Sequence, residues 1–166
     1  RGNSSEIKKL IEKMRKKIPN ISIRTSVIVG YPGETERDFE KLAKFVRDTH
    51  FDHLGVFTYS PEEGTRAFGL KNKIPNKIAK ERKNEIMKLQ KKISLKNNEK
   101  FVGKSLKVLV GGLSSESEFL IEARHEGQAP DIDGVVYIND GVAKTGEFAM
   151  AEITNAHEYD LIGRVV

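Results

Sequence analysis

Few residues in this chain are equipped for chemistry, and the missing types constrain it as much as those present. Cysteine is absent, which excludes disulfides, thiolate-bound zinc, thiol nucleophiles and the thiolates that hold an iron–sulfur cluster. The four histidines, His50, His53, His125 and His157, lack the i, i+4 spacing that sets two imidazoles on one helix face, so no metal site is expected. One segment has the form of a ligand-binding turn. Gly30-Tyr31-Pro32-Gly33-Glu34-Thr35 follows a β-branched run and leads into a helix. Glycine there lets a ligand approach the backbone, and free N–H groups at a helix start favour an anionic or polar group. The same composition also serves a chain that only needs to turn, and shape alone leaves both readings open.

The elements around that turn can be read from spacing. Ile7, Leu10, Ile11, Met14 and Ile18 recur at helical intervals, with Asn3 as N-cap, Glu6 three residues on and Pro19-Asn20 as a stop. Ile21 to Val29 reads as a strand, Thr35 to Asp38 as a capping box, and Phe39, Leu42, Ala43 and Val46 as the buried face of the helix it opens. Leu54 to Tyr59 is a second strand. Strand, helix and strand predict a right-handed parallel crossover unit. Two parallel strands cannot make a sheet buried on both faces, so further strands are expected upstream. Residues 60–76 form a loop, and 77–98 a polar helix with Ile78, Ile86, Leu89 and Ile93 on one side.

Beyond Phe101 the pattern turns to β: Lys104 to Val110, Phe119 to Glu126, Val135 to Asn139, Phe148 to Thr154 and Leu161 to Val166, separated by glycine- and asparagine-rich turns. Five short strands of this kind predict a small antiparallel barrel or sandwich, and a domain boundary is placed near Asn98. Charge separates the two halves. From Lys100 onward six basic residues stand against eleven acidic ones, a net −5, while the whole chain carries +5, so the front carries +10. The lysines of residues 77–100 read as a solvated helix face. No run of eighteen apolar residues occurs and no signal peptide is visible, which makes the cytoplasm the default. Arg1 stands where a complete gene product has methionine, so the chain is expected to be part of a longer polypeptide.

Three motifs carry a family resemblance. Arg24-Thr-Ser-Val-Ile-Val-Gly-Tyr-Pro-Gly-Glu-Thr35 resembles the fifth-strand motif of radical-SAM methylthiotransferases. His53-Leu-Gly-Val-Phe-Thr-Tyr-Ser-Pro-Glu-Glu-Gly-Thr65 is similar to their sixth strand and following loop, and Gln128-Ala-Pro-Asp-Ile-Asp-Gly-Val-Val-Tyr-Ile138 to their appended β-domain, TRAM. The resemblance implies part of a parallel-stranded, TIM-like radical-SAM barrel over residues 1–98 and a TRAM barrel over 99–166.

Glu62-Glu63 resembles the RimO branch, which methylthiolates the β-carbon of an aspartate in ribosomal protein S twelve. The branch that modifies an adenosine in transfer RNA usually has Arg-Pro there. The net −5 agrees, because an acidic domain repels a polyanion and suits a basic protein. The cofactors so implied are S-adenosylmethionine and two [4Fe–4S] clusters, whose cysteine ligands this chain lacks, so the chain alone is expected to be inactive and to need the upstream part of the same enzyme.

Residue by residue, the resemblance puts Ile28 against adenine and Arg24 or Ser26 on the cofactor's ribose or carboxylate, and with Ile28 and Gly30 matched to the motif, alternation puts Arg24, Ser26, Ile28 and Gly30 on the same, inward face. Tyr59, with Phe57, would pack cofactor or substrate. A barrel ion pair is an equal reading of Arg24, and core packing an alternative for the two aromatics. Glu34 lies one position from the usual glutamate, so no role is carried to it. Two rival functions remain, the transfer-RNA branch and a non-enzymatic RNA-binding module using the Lys77 to Lys100 helix.

Overall fold

A computed structural model describes residues 3–166 of the protein. The chain divides into two compact units, one ending at Ile93 and the other beginning at Ser94. The first unit opens with α1 (Ser4–Lys17), capped as its sequence requires. The Asn3 side chain accepts from the Ser5 N–H at 3.2 Å, and Glu6 reaches back to the Asn3 N–H. Of its apolar stripe only Ile11 is buried, while Ile7, Leu10 and Ile18 remain exposed.

Next come β1 (Arg24–Val29), α2 (Glu36–Thr49) and β2 (His53–Thr58). The two strands pair in parallel, Arg24 opposite His53 through Val29 opposite Thr58, with α2 as the crossover. A reciprocal cap between Thr35 and Asp38 starts α2, and His50 ends it in the left-handed region at φ 51°. The core of the unit sits on one face of this sheet, where Val29, Leu54 and Val56 join Phe39, Val46, Phe51 and Ile86.

The helix α3 (Asn76–Asn98) buries Ile86 and Ile93 of its predicted aliphatic side and packs Leu89 against the core. Ala79, Arg82, Ile86, Gln90 and Ile93 face inward, whereas Ile78 is exposed. Two polar side chains interrupt the line, and Gln90 is tied in by donating from Nε2 to the Phe51 carbonyl at 2.9 Å.

After a short 3-10 turn at Glu99–Phe101, the second unit contains β3 (Ser105–Leu113), β4 (Ile121–His125), β5 (Val136–Asp140), β6 (Phe148–Ala156) and β7 (Leu161–Val165). They close in the order β3-β4-β5-β7-β6 around Val108, Ala123, Val136, Ile138, Ala151, Ile153 and Leu161. The expected all-antiparallel pairing is corrected here, since β5 and β7 run parallel. The reason is parity: directions cannot alternate all the way round a closed ring of five, so one neighbouring pair must agree. β3 pairs with both β4 and β6, and its register against β4 shifts at a bulge between Val110 and Gly112, where Gly112 has φ 137°.

Candidate functional site

The helices of the first unit cover one face of the β1–β2 sheet. On the opposite face alternation places Arg24, Ser26 and Ile28, with His53, Gly55 and Phe57 beside them in register. Ile28 and Phe57 sit side by side at 58% and 56% exposure, a pair of large apolar side chains in a place where a finished α/β sheet would be covered. A Cβ added at Gly55 would stand 3.1 Å from the Phe57 ring and 3.2 Å from Ser26 Oγ, so glycine is what lets the ring lean over its own strand.

At the C-terminal ends of the strands, where α/β folds place their ligands, two tyrosines meet. The Tyr31 and Tyr59 rings pack edge to face at 5.3 Å, and the Tyr59 N–H donates to the Val29 carbonyl at 2.9 Å. The Tyr59 hydroxyl is buried without a hydrogen-bond partner among the described residues, a polar group whose burial is unfavourable until something pairs with it.

The turn itself answers the question that its sequence left open. Its N–H groups do not point at open space. Glu34 folds its carboxylate back so that the amides of Gly30 and Tyr31 both donate to it, and the Gly33 N–H donates to the Asn72 carbonyl at 3.0 Å. The chain supplies its own anion. Gly30 is required for a further reason: at φ 77°, a Cβ there would lie 2.6 Å from the Ala79 side chain of α3.

The structure therefore brings Ser26 and Ile28 together on the open face, sets Tyr59 at its rim and buries Gly30 behind the rim. Arg24 shares the face but lies at the other end of β1, about 20 Å of extended chain from Gly30. Sequence reasoning missed Glu34 and its partner Arg82, since nothing in either local pattern links residues so far apart in sequence. The one available signal was that Arg82 falls three and four residues from Ala79 and Ile86, on the line that proves to be buried.

A strand–helix–strand unit with one open sheet face, joined to a closed five-stranded barrel, defines a two-part chain whose second part is a β-barrel module, and residues 102–166 match the TRAM domain family. Over its full length the chain is similar to proteins named RimO ribosomal protein uS12 methylthiotransferases. It is 54% identical to the "Ribosomal protein uS12 methylthiotransferase RimO" of Myxococcus xanthus, a match covering 100% of this chain and 35% of that protein. The enzyme of the same name from Anaeromyxobacter sp. strain Fw109-5 is 48% identical over 100% of this chain and 36% of its own. That from Geobacter sulfurreducens is 43% identical over 100% and 37%. The chain thus spans about a third of the length of these relatives.

Proposed function

We propose that this chain is the part of a ribosomal-protein methylthiotransferase that completes the S-adenosylmethionine site and recruits the protein substrate. The observation that carries the reading is the similarity to RimO enzymes along every residue of the chain, joined to a sheet face that is open where such an enzyme would bind its cofactor. Residues 1–98 are then the last strands of a TIM-like barrel. In support, β1 and β2 form a sheet of only two strands among the described residues, and α1 with its C-cap exposes Ile7, Leu10 and Ile18, apolar surface that further strands and helices of a longer enzyme would cover. Such an enzyme methylthiolates the β-carbon of an aspartate in the ribosomal protein, which puts it in the cytoplasm.

The residues here do not fit an iron–sulfur cluster. No cysteine exists, and the described residues contain no grouping of metal-ligating side chains, so clusters belong to another part of the longer enzyme. The open face does suit an adenosyl group, which in that enzyme supplies the radical chemistry. Ile28 and Phe57 offer an apolar bed, Ser26 a hydroxyl, and Tyr59 an unmet hydroxyl at the rim. Arg24, at the far end, would reach only an extended part of the ligand. Replacing Ile28 with Asp in the longer enzyme is expected to weaken binding of S-adenosylhomocysteine at least tenfold by calorimetry, because a carboxylate would have to be desolvated under an apolar ligand. Unchanged affinity would overturn the cofactor face.

The TRAM unit is read as the docking module for the basic protein substrate, since residues 100–166 carry net −5 and complementary charge steers such partners together. The relatives named for uS12 favour this branch over the one acting on transfer RNA. Residues 94–166 should bind the ribosomal protein at low salt and lose it near 1 M, where screening shortens the Debye length to about 3 Å. Binding to transfer RNA in its place, persisting at physiological salt, would reverse the assignment.

A further inference from the structure

The turn bordering the open face is held from behind by a buried charge. Arg82 on α3 lies with Nη1 3.4 Å from Glu34 Oε1, and the same nitrogen donates to the Glu34 carbonyl at 3.3 Å. Its Nη2 donates to Glu36 Oε2 at 2.9 Å, and the guanidinium rests 5.3 Å from the centre of the Phe39 ring. The Arg82 and Glu34 side chains keep only 9% and 11% exposure, and Arg82 Nε has no acceptor among the described residues. An arginine in this position carries a desolvation penalty that a well-packed apolar residue would avoid.

What the arrangement achieves is directional. Glu34 must present one carboxylate to two successive amides, Gly30 and Tyr31, while Arg82 holds that carboxylate from the α3 side. The consequence is a fixed place for Tyr31, whose ring packs on Tyr59 at the ends of the two strands. We propose that Arg82 is a positioning residue that acts through Glu34 to fix the Gly30–Tyr31 turn, and so sets the affinity of the open face for the adenosyl cofactor. This rests on the reading of that face given above.

The test uses the longer enzyme carrying Arg82→Met, Glu34→Gln, both together, or Ile28→Asp. S-adenosylhomocysteine is titrated calorimetrically, the ribosomal protein is titrated separately, and amide exchange is followed at Gly30 and Tyr31. Arg82→Met and Glu34→Gln should each speed exchange at both amides and weaken the nucleoside ligand about tenfold, the loss expected for one hydrogen bond to a charged group. The double variant should lose little more than either single one, because both act through one link. Affinity for the ribosomal protein should not change.

Arg82→Lys keeps the buried charge without the planar fork. It should shift the same two readouts in the same direction, and it keeps the test decisive if Arg82→Met fails to fold. Faster exchange with unaltered ligand affinity would overturn the positioning role, as would an equal loss of affinity for ligand and protein. If Ile28→Asp weakens the ligand and the Arg82 variants do not, only the positioning role falls. If Ile28→Asp has no effect either, the cofactor face falls and the positioning role with it.

Discussion

Arg82 brings a full charge into an interior that is otherwise mostly apolar. Truncating one partner of a buried ion pair leaves the other charged and unpaired, at a loss of about 3–5 kcal/mol. Glu34 would still accept two backbone amides, so Arg82→Ala should sit near the lower end, about 3 kcal/mol by urea denaturation. Asp38 makes a prediction of a different kind. The Thr35 hydroxyl donates to it at 2.6 Å and Lys41 at 3.2 Å, and these bonds, the Thr35 one first, lower its carboxyl from 3.8 to about 2. A depressed folded value means the cap stabilises fully above the ordinary carboxylate range and fades as pH falls towards 2. Asp38→Asn should therefore flatten the acid side of the melting-temperature profile in that window, and an unaltered profile would mean the cap contributes nothing.

At the scale of elements, short-range chemistry was legible in the sequence and long-range pairing was not. Both capping boxes stand where Asn3 and Glu6, and Thr35 and Asp38, announce them, because a cap is decided within four residues. The five β-strands were visible from alternation and turns. Their directions were not, since the parallel pairing of β5 with β7 is imposed by ring closure and by no residue. The buried line of α3 was legible at Ile86, Leu89 and Ile93 but not at Arg82 and Gln90, because a polar residue declares its burial only through partners remote in sequence. In the candidate site, the motif resemblance with alternation put Arg24, Ser26, Ile28 and Gly30 on one face; Gly30, at φ 77°, instead turns towards Ala79, and the internal use of the turn's amides by Glu34 was hidden. The barrel's tightest joint concerns Gly134: a Cβ there would lie 1.8 Å from the Tyr159 carbonyl oxygen. Gly134→Ala must displace the backbone that delivers Leu161 to the core, so residues 94–166 carrying it should lose their cooperative thermal transition, while Gly146→Ala, with open space around it but φ 83°, should lower the melting temperature and leave the transition cooperative.

For the whole molecule, the two units differ in how complete they are. Residues 94–166 close around their own core and should melt cooperatively as a monomer when made alone. Residues 1–93 have an apolar pair on an open face and should self-associate, which sedimentation would detect; a sharp monomeric transition would argue that the first unit is a finished domain. Ring closure also limits how the second unit can recognise anything. In the barrel every strand already has two hydrogen-bonded neighbours, so no backbone edge is left for an incoming peptide to join as an added strand. Whatever this module grips must be read by side chains and loops, where a charge reversal can abolish binding and a proline scan of the partner's backbone should leave it largely intact.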